Sequence, residues 1–550
     1  MARRRFPHCD DPRSTGVRLA LLLLLGLACA PAAVRAQAFE YVAAGTRALG
    51  RGGAFAARAD DPMALGYNPA ALAFLPGYQL MLGSHLAFYD ACVQRSGSYD
   101  VASPYTTRLG DPAEWMGQPY PRVCRSGYPG PSPQLVFTGH PIPELGFGIG
   151  LLAPSGVGNA VWGNPDGTIE VGGRTLPTPT RYALVESDLL LFHPTIGIGF
   201  SPIRELSFGV SFQWGIAIVD FTNHTSAGNG VEDPALDVHT VLHSEDFFVP
   251  AVIFSVHVVP IDELDIVATA RFSDGIDGGG TLDLTTGWYG DETSTYLPQH
   301  TRLTNVRLQA GQPWQFGLAL RYAQRRERRY RDPEQAGRIT GRVEDHMQNE
   351  VWDVELDLVY HHNGQIRDFV VTPPDDARVS LCEGPRRPDG SCNIELQAPL
   401  PGALPIPHGW GDQFSVRLGG DWNVLPGQLA LRAGAHFITS GLNSKYQIQD
   451  FLPGMRLGLH LGATLRIDRF DVSIAYAHIF QFDETITDGN FRAVAAQGTD
   501  GLCGDGGEYD PERSVPSRGC YPAGYGAVVN AGTYSAEYNV LSLQVSYNFQ

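Results

Sequence analysis

The sequence predicts an all-β fold: a transmembrane antiparallel β-barrel of about 14 strands with a small N-terminal helical hatch plugging the lumen. Three observations carry that prediction. The chain opens with an export signal, its body alternates apolar and polar residues with a period of two, and its connections alternate between short and long.

The leader comes first. Arg3, Arg4, Arg5 and Arg18 precede an apolar run from Leu19 to Ala30, and Val34-Arg35-Ala36 supplies small residues for cleavage. A secretory signal has this order of charge, apolar run and small residues. The run is too short for a spanning helix, which takes about 20 apolar residues. The signal peptide is placed at 1–36, and the mature chain starts at Gln37.

Composition narrows the class. The chain is rich in Gly, Tyr and Phe, and its only lysine is Lys445. Its net charge of -18, or -22 without the six Arg and two Asp of the leader, excludes ordinary nucleic-acid binding, for which basic patches supply most of the affinity. After Ala36 no stretch is apolar enough to span as a helix. A secreted soluble β-protein or a membrane barrel remains.

Periodicity chooses between them. The last segment sets Leu541, Leu543, Val545, Tyr547 and Phe549 against Ser542, Gln544, Ser546, Asn548 and Gln550. Leu206, Phe208, Val210, Phe212 and Trp214 oppose Ser207, Gly209, Ser211 and Gln213 in the same way, as do Leu457, Leu459, Leu461 and Leu465 against Arg456, His460, Thr464 and Arg466. Such segments are strands. Tilted strands of about 9 to 11 residues with one apolar face fit a bilayer, whereas soluble strands run to about 5 or 6.

Strands of this kind are expected near Tyr78, Pro133, Leu145, Leu189, Leu206, Phe247, Leu264, Trp314, Val351, Gly411, Leu429, Arg456, Phe470 and Glu537. The connections at His140 to Glu144, Pro202 to Arg204, Ile261 to Glu263, Leu425 to Gln428 and Asp468 to Arg469 are tight, and most others are long. Short turns on one side and long loops on the other are the barrel pattern. Ala323 to Glu350, with the basic run Arg325, Arg326, Arg328, Arg329 and Arg331, is long where a short turn is expected. Either that hairpin carries an extended turn or the count is off by two there.

The mature chain has six cysteines: Cys92 and Cys124, Cys382 and Cys392, Cys503 and Cys520. Each pair falls within one expected outer loop, and outside the cytoplasm such pairs read as loop-closing disulfides. Pairing in sequence order is an assumption. No CxxC or clustered His accompanies them, so a metal site is not expected.

Between leader and barrel, Gln37 to Gly77 breaks the pattern. Its many alanines suggest short compact helices, with Asp60 or Asp61 as a cap and a turn at Asn68-Pro69. A compact domain of small residues fits a barrel lumen. Gly50-Arg51-Gly52-Gly53 lacks the preceding strand and following Lys-Ser/Thr of a phosphate loop. The domains are therefore 1–36 signal peptide, 37–77 hatch and 78–550 barrel with long extracellular loops.

The chain here resembles the FadL family of outer-membrane transporters for long-chain fatty acids and hydrocarbons. The likeness rests on Ala38-Phe39 followed by GxxxxGRGGAxxAxxDDPxAxxxNPAAL over Gly45 to Leu72. Trp410 to Gly420, Leu431-Arg432-Ala433-Gly434 and Gly532-Thr533-Tyr534 are similar as well. The resemblance implies a barrel of fourteen strands, capture of a hydrophobic ligand at the outer loops, a pocket near the N-terminus and exit sideways through the wall. It places Phe39 at the pocket, and Asn68, Pro69 and Ala70 as a hatch motif touching the wall. It places a lateral gate on the third strand, at Gly148, Gly150, Pro154 and Gly156. Pro removes a ladder donor and Gly permits bends there.

Inward Arg417 and Arg432 are candidates to hold a ligand carboxylate, or else to pair with Asp353, Glu355, Asp357 or Asp421. The expected partners are a hydrophobic small molecule, outer-membrane lipid and the barrel assembly machinery, with the chain a monomer in the bacterial outer membrane. No cofactor, catalytic residue or nucleic acid is expected. The rivals are a surface scaffold or adhesin barrel, and a barrel lipase for which no GxSxG follows a strand into a helix.

Overall fold

The structure is a computed structural model that describes residues 44–100, 103–127, 129, 131–153, 159–227, 232–326, 345–493 and 526–549. The leader, Phe39, Pro154, Gly156, Cys503 and Cys520 lie outside these residues.

Fourteen antiparallel strands close into a barrel. They are β1 (Tyr78–Arg95), β2 (Pro131–Ile142, extended by Val123–Ser126), β3 (Leu145–Leu152, then Ala160–Trp162), β4 (Glu186–Ile203), β5 (Leu206–Ser226) and β6 (Asp237–Ile261). Next come β7 (Leu264–Ser273, then Ile276–Thr286), β8 (Gln299–Ala310, then Trp314–Arg325), β9 (Glu350–His362, then Asp368–Thr372) and β10 (Leu404–Pro407, then Gln413–Leu425). β11 (Leu429–Ile438), β12 (Arg456–Ile467), β13 (Phe470–Ile486) and β14 (Gly532–Phe549) complete the ring. β1 pairs with both β2 and β14, so the sheet has no free edge. Closure leaves no sheet edge in contact with lipid, which is what hydrocarbon demands.

All fourteen segments expected from periodicity are strands. The strands on either side of the long connection after β8 pair directly, down to Arg325 with Glu350, so the count stands; residues 327–344 of that connection lie outside the described residues. Arg325 and Arg326 are tied there, Arg325 to Glu350 and the Arg326 N–H to the Asn349 carbonyl. Arg328, Arg329 and Arg331 lie outside the described residues.

Outward side chains form an apolar belt that includes Leu135, Ile149, Ile198, Phe208, Leu320, Leu418, Leu461 and Ile474, all exposed. Aromatic rings border it. Tyr78, Tyr322, Trp352, Trp422 and Phe549 stand at the turn end, and Trp214, Phe247, Trp314, Phe414 and Phe480 toward the loop end. Exposed grease bounded by aromatic girdles is the surface of a membrane-spanning barrel. The turn-end pieces of β7, β8 and β9 and the whole of β11 are 10, 12, 13 and 10 residues long, which matches a tilted crossing. Other strands run on past the belt, β6 for 25 residues with a bulge between Asp246 and Val249 at the girdle.

The loop end carries a hairpin, Thr168–Val171 with Arg174–Pro177, and a small sheet of Tyr296–Leu297, Arg378–Glu383 and Ile394–Pro399. Two disulfides join the pairs expected from sequence order, Cys92 with Cys124 and Cys382 with Cys392. The first does not close a loose loop. Its cysteines face each other across the ladder between β1 and the extension of β2.

Candidate functional site

Residues 44–77 lie inside the ring. Their partners are the residues that alternate with the exposed belt, on strands all around the barrel. Thr46 meets Ser542 and Gln544 of β14, the Gly45 N–H donates to His85 of β1, Ser211 of β5 donates to the Leu65 carbonyl, and the Ala70 N–H donates to Ser255 of β6. The segment folds into a helix over Thr46–Gly50, a second turn of helix over Ala64–Tyr67 and a 3₁₀ helix over Pro69–Ala73. Helices this short are not stable alone and persist because they are packed. Asp61 accepts from the Met63 N–H at the approach to the second helix. Asp60 instead pairs with Arg47 and Arg58.

One side of this segment is held by charge. Arg51, fully buried, donates through Nη1 to Asp353 at 3.0 Å and Asp421 at 2.7 Å, through Nη2 to Asp353 and Glu355 at 3.0 Å each, and through Nε to the Ala54 carbonyl at 2.8 Å. Arg58 reaches Asp353 at 3.0 Å, and Arg321 of β8 reaches Asp353 at 2.6 Å and Asp265 at 3.2 Å. Glu355 also accepts from the N–H groups of Ala57 and Arg58, and Asp357 from those of Phe55 and Ala56. Acids spaced by two on β9 thus form a rack for the Arg51 to Arg58 turn. A buried charge is tolerated only with this degree of pairing.

The other side is held by close approach. A Cβ on Gly209 of β5 would lie 2.0 Å from the Ala70 nitrogen, and one on Gly146 of β3 would lie 1.8 Å from the Leu72 carbonyl oxygen. Bare strand backbone lets the 3₁₀ helix lie directly on the wall. Asn68 donates to the Ala56 carbonyl at 2.8 Å and meets His257 of β6 at 3.3 Å, while Pro69 starts the 3₁₀ helix. Asn68, Pro69 and Ala70 therefore sit where segment and wall touch.

Above this level the inner face changes character. From the turn end β14 presents Ser546, Gln544 and Ser542, then Val540, Tyr538, Ala536 and Tyr534. β1 presents Gln79, Met81 and His85, then Ala87, Tyr89, Ala91 and Val93. Across the barrel, Leu191, Ala217, Val219, Leu242, Leu282, Leu284, Val306 and Leu308 continue the apolar lining toward the loop end. Below the segment, a cavity of about 270 Å³ opens among Arg47, Asp60, Asp61, Arg432, Arg466 and Asp471.

Among the described residues the ladder along β3 is interrupted. Its last ladder pair with β2 is Leu135–Leu151, and among the described residues pairing resumes at Ser126–Val161. Toward β4, β3 takes eight residues from Leu152 to Ala160 where β4 takes six from His193 to Ser187. Pro131 and Pro133 of β2 and Pro194 of β4 flank this stretch and have no N–H to donate. Gly148 sits against Leu65 at its base, and Gly150 faces Val136.

Arg417 and Arg432 do not converge. Arg417 sits opposite Asp357 in the ladder and donates to Ser415 at 3.1 Å. Arg432 sits opposite Asp421, pairs with it at 3.2 Å and donates to Thr464 at 2.7 Å. The arginines that engage Asp353 and Glu355 are Arg51, Arg58 and Arg321, which sequence reading did not single out. The signal available was Arg51 between glycines, facing acids at two-residue spacing on one strand.

No protein-family model and no curated protein matches this sequence. Solved structures do. A FadL homologue from Pseudomonas aeruginosa aligns with a TM-score of 0.62 at 13% identity, over 94% of this chain and 100% of that one. The toluene transporter TodX of P. putida gives 0.52 at 15% identity, over 89% and 94%, and the Ralstonia pickettii toluene transporter TbuX gives 0.52 at 14%, over 93% and 100%. At these identities the likeness is one of fold, and the fold is that of the FadL-type barrels.

Proposed function

With that fold as premise, we propose that this chain is a passive outer-membrane channel for long-chain fatty acids or similar hydrophobic compounds. The observation that carries the reading is the division of the lumen. On β1, β14 and the strands from β4 to β8, apolar inner residues run from the loop side down toward the segment at 44–77, and that segment, pinned by charge and by glycine contacts, stands across the axial route. A greasy solute that descends this lining meets a floor it cannot pass. The wall at β3, where the described ladder is interrupted and flanking prolines lack N–H donors, is in this scheme the remaining way out, with Gly148, Gly150, Pro154 and Gly156 as the gate. A fatty chain gains about 0.8 kcal/mol for each CH₂ it buries in lipid, so sideways exit needs no energy source. In this scheme 37–77 is the hatch, Phe39 lines the ligand pocket above it and 1–36 is removed on export. The solved neighbours, a FadL homologue and two toluene transporters, support hydrophobic cargo and leave its identity to experiment.

The test is uptake of radiolabelled oleic acid by bacterial cells that lack their own carrier and express the full chain. Uptake several times that of empty cells is expected, with no ester hydrolysis by the purified protein. Expression at the cell surface without any gain in uptake of oleic acid, toluene or an alkane overturns the proposal in favour of a surface scaffold.

A further inference from the structure

Two polar side chains on the inner face, beside the point where the described β2–β3 ladder ends, have no hydrogen-bond partner among the described residues. Gln134 of β2 and His193 of β4 are fully buried, at 0% and 1% exposure, and neither the Gln134 amide nor either His193 ring nitrogen makes a hydrogen bond. They share a row of the sheet. His193 is the ladder partner of Leu152, and Gln134 lies one residue beyond the last β2–β3 pair, Leu135–Leu151, which brings it level with Leu152. Two strand spacings put their Cα atoms about 10 Å apart, with Leu152 between them. Leu65 of the lumenal segment approaches Gly148 and Gly197 nearby.

Buried polar groups are almost always satisfied, and each exception calls for an explanation. Leu or Met would fill these positions in a wall meant only for hydrocarbon. A solute moving sideways into lipid cannot carry a charge with it, so an acid must leave protonated. A neutral carboxylic acid or alcohol still has a donor and an acceptor to satisfy on the way. The Gln134 carboxamide offers both, in the geometry that pairs with a carboxylic acid through two parallel hydrogen bonds, and the neutral imidazole of His193 offers one of each.

Resting on the transport reading above, we infer that Gln134 and His193 form a head-group site at the wall break, and that the cargo is an amphiphile with a single neutral hydroxyl-bearing head. The site receives the head group as the apolar tail enters the bilayer. Fatty acid and fatty alcohol share the chemistry it recognises; an alkane does not.

The experiment compares uptake of oleic acid, oleyl alcohol and hexadecane by cells expressing the full chain or its Q134L/H193L variant, with barrel folding read from heat-modifiable gel mobility. Neither group is bonded in the closed wall, so the variant is expected to fold as the parent does. Acid and alcohol uptake should fall about fivefold or more, the scale of one or two lost hydrogen bonds, while hexadecane uptake stays within about twofold. His193→Gln, which keeps a donor and an acceptor, should retain most of the acid uptake that His193→Leu loses. If all three cargoes pass the variant unchanged, the two groups bind only water and the inference fails, and it fails equally if all three fall together. Parent cells that take up none of the three overturn the transport reading itself. Should the double variant not fold, Q134L and H193L singly carry the same comparison.

Discussion

Arg51 and Asp353 face each other in two parallel hydrogen bonds of 3.0 Å, one side chain on the lumenal segment and the other on β9, both out of contact with solvent. With Asp421, Glu355 and the Ala54 carbonyl, Asp353 occupies all five N–H groups of the guanidinium. The pair fixes where the floor of the lumen stands.

Arg51→Ala leaves Asp353, Glu355 and Asp421 without their shared cation. A buried network broken on one side costs about 3–5 kcal/mol. The expected result is a barrel that still folds but whose floor is loosened. Purified variant in a planar bilayer should show ion conductance that the parent lacks, and cells should become sensitive to large hydrophilic antibiotics. A variant as tight as the parent removes Arg51 from the seal.

Gly209→Val drives a side chain into the Ala70 nitrogen, which a Cβ alone would already approach to 2.0 Å. Overpacking of this kind costs about 1–3 kcal/mol. A lower thermal midpoint with the same leak as in R51A is expected. Gly279→Ala serves as control, because nothing lies within 4 Å of a Cβ there.

At the loop end Glu232 pairs with Arg95, whose Nη1 reaches it at 2.7 Å and whose guanidinium stacks over Tyr120 at 4.4 Å. Burial pushes the Glu232 carboxyl up, but the Arg95 charge outweighs it and holds the group below the ordinary glutamate value. A folded-state value below the unfolded one means stability that is present above about pH 4.5 and lost as pH falls through the folded value. Thermal unfolding of E232Q should therefore lie below that of the parent at pH 7, by about 1–3 kcal/mol for an unsatisfied buried partner, and the gap should close toward pH 3. A gap that does not change with pH removes the charge from the account.

Reduction of the Cys92–Cys124 bridge, or C92S/C124S, removes a cross-link over 32 residues. The chain-entropy model puts such a closure at about 3.7 kcal/mol. Because the cysteines already face each other in a ladder, the strands should stay paired, and only the denaturation midpoint should fall. Circular dichroism with and without reductant separates the two.

Much of this was legible in the chain. Period-two alternation located all fourteen strands because the bilayer imposes one rule on every outward residue, and short turns are hard to mistake when both flanks alternate. The segment at 44–77 stood out because it lacks that alternation. The site was less readable. Arg417 and Arg432 point inward, and their sequence left open a ligand carboxylate or a strand acid; register sets Arg432 against Asp421 and Arg417 against Asp357, while arginines of the lumenal segment take Asp353 and Glu355.

The sequence by itself determined the barrel and the side of each strand that faces outward, and set residues 44–77 apart from its pattern, since local alternation is enough to sort a residue in from out. Only the tertiary structure decided what the inward residues do. Which acid meets Arg51, and which glycine lies under Ala70, depend on pairings across hundreds of residues that no local pattern records. That Gln134 and His193 end in one row of the sheet, level with Leu152, follows only once β2, β3 and β4 are set in register.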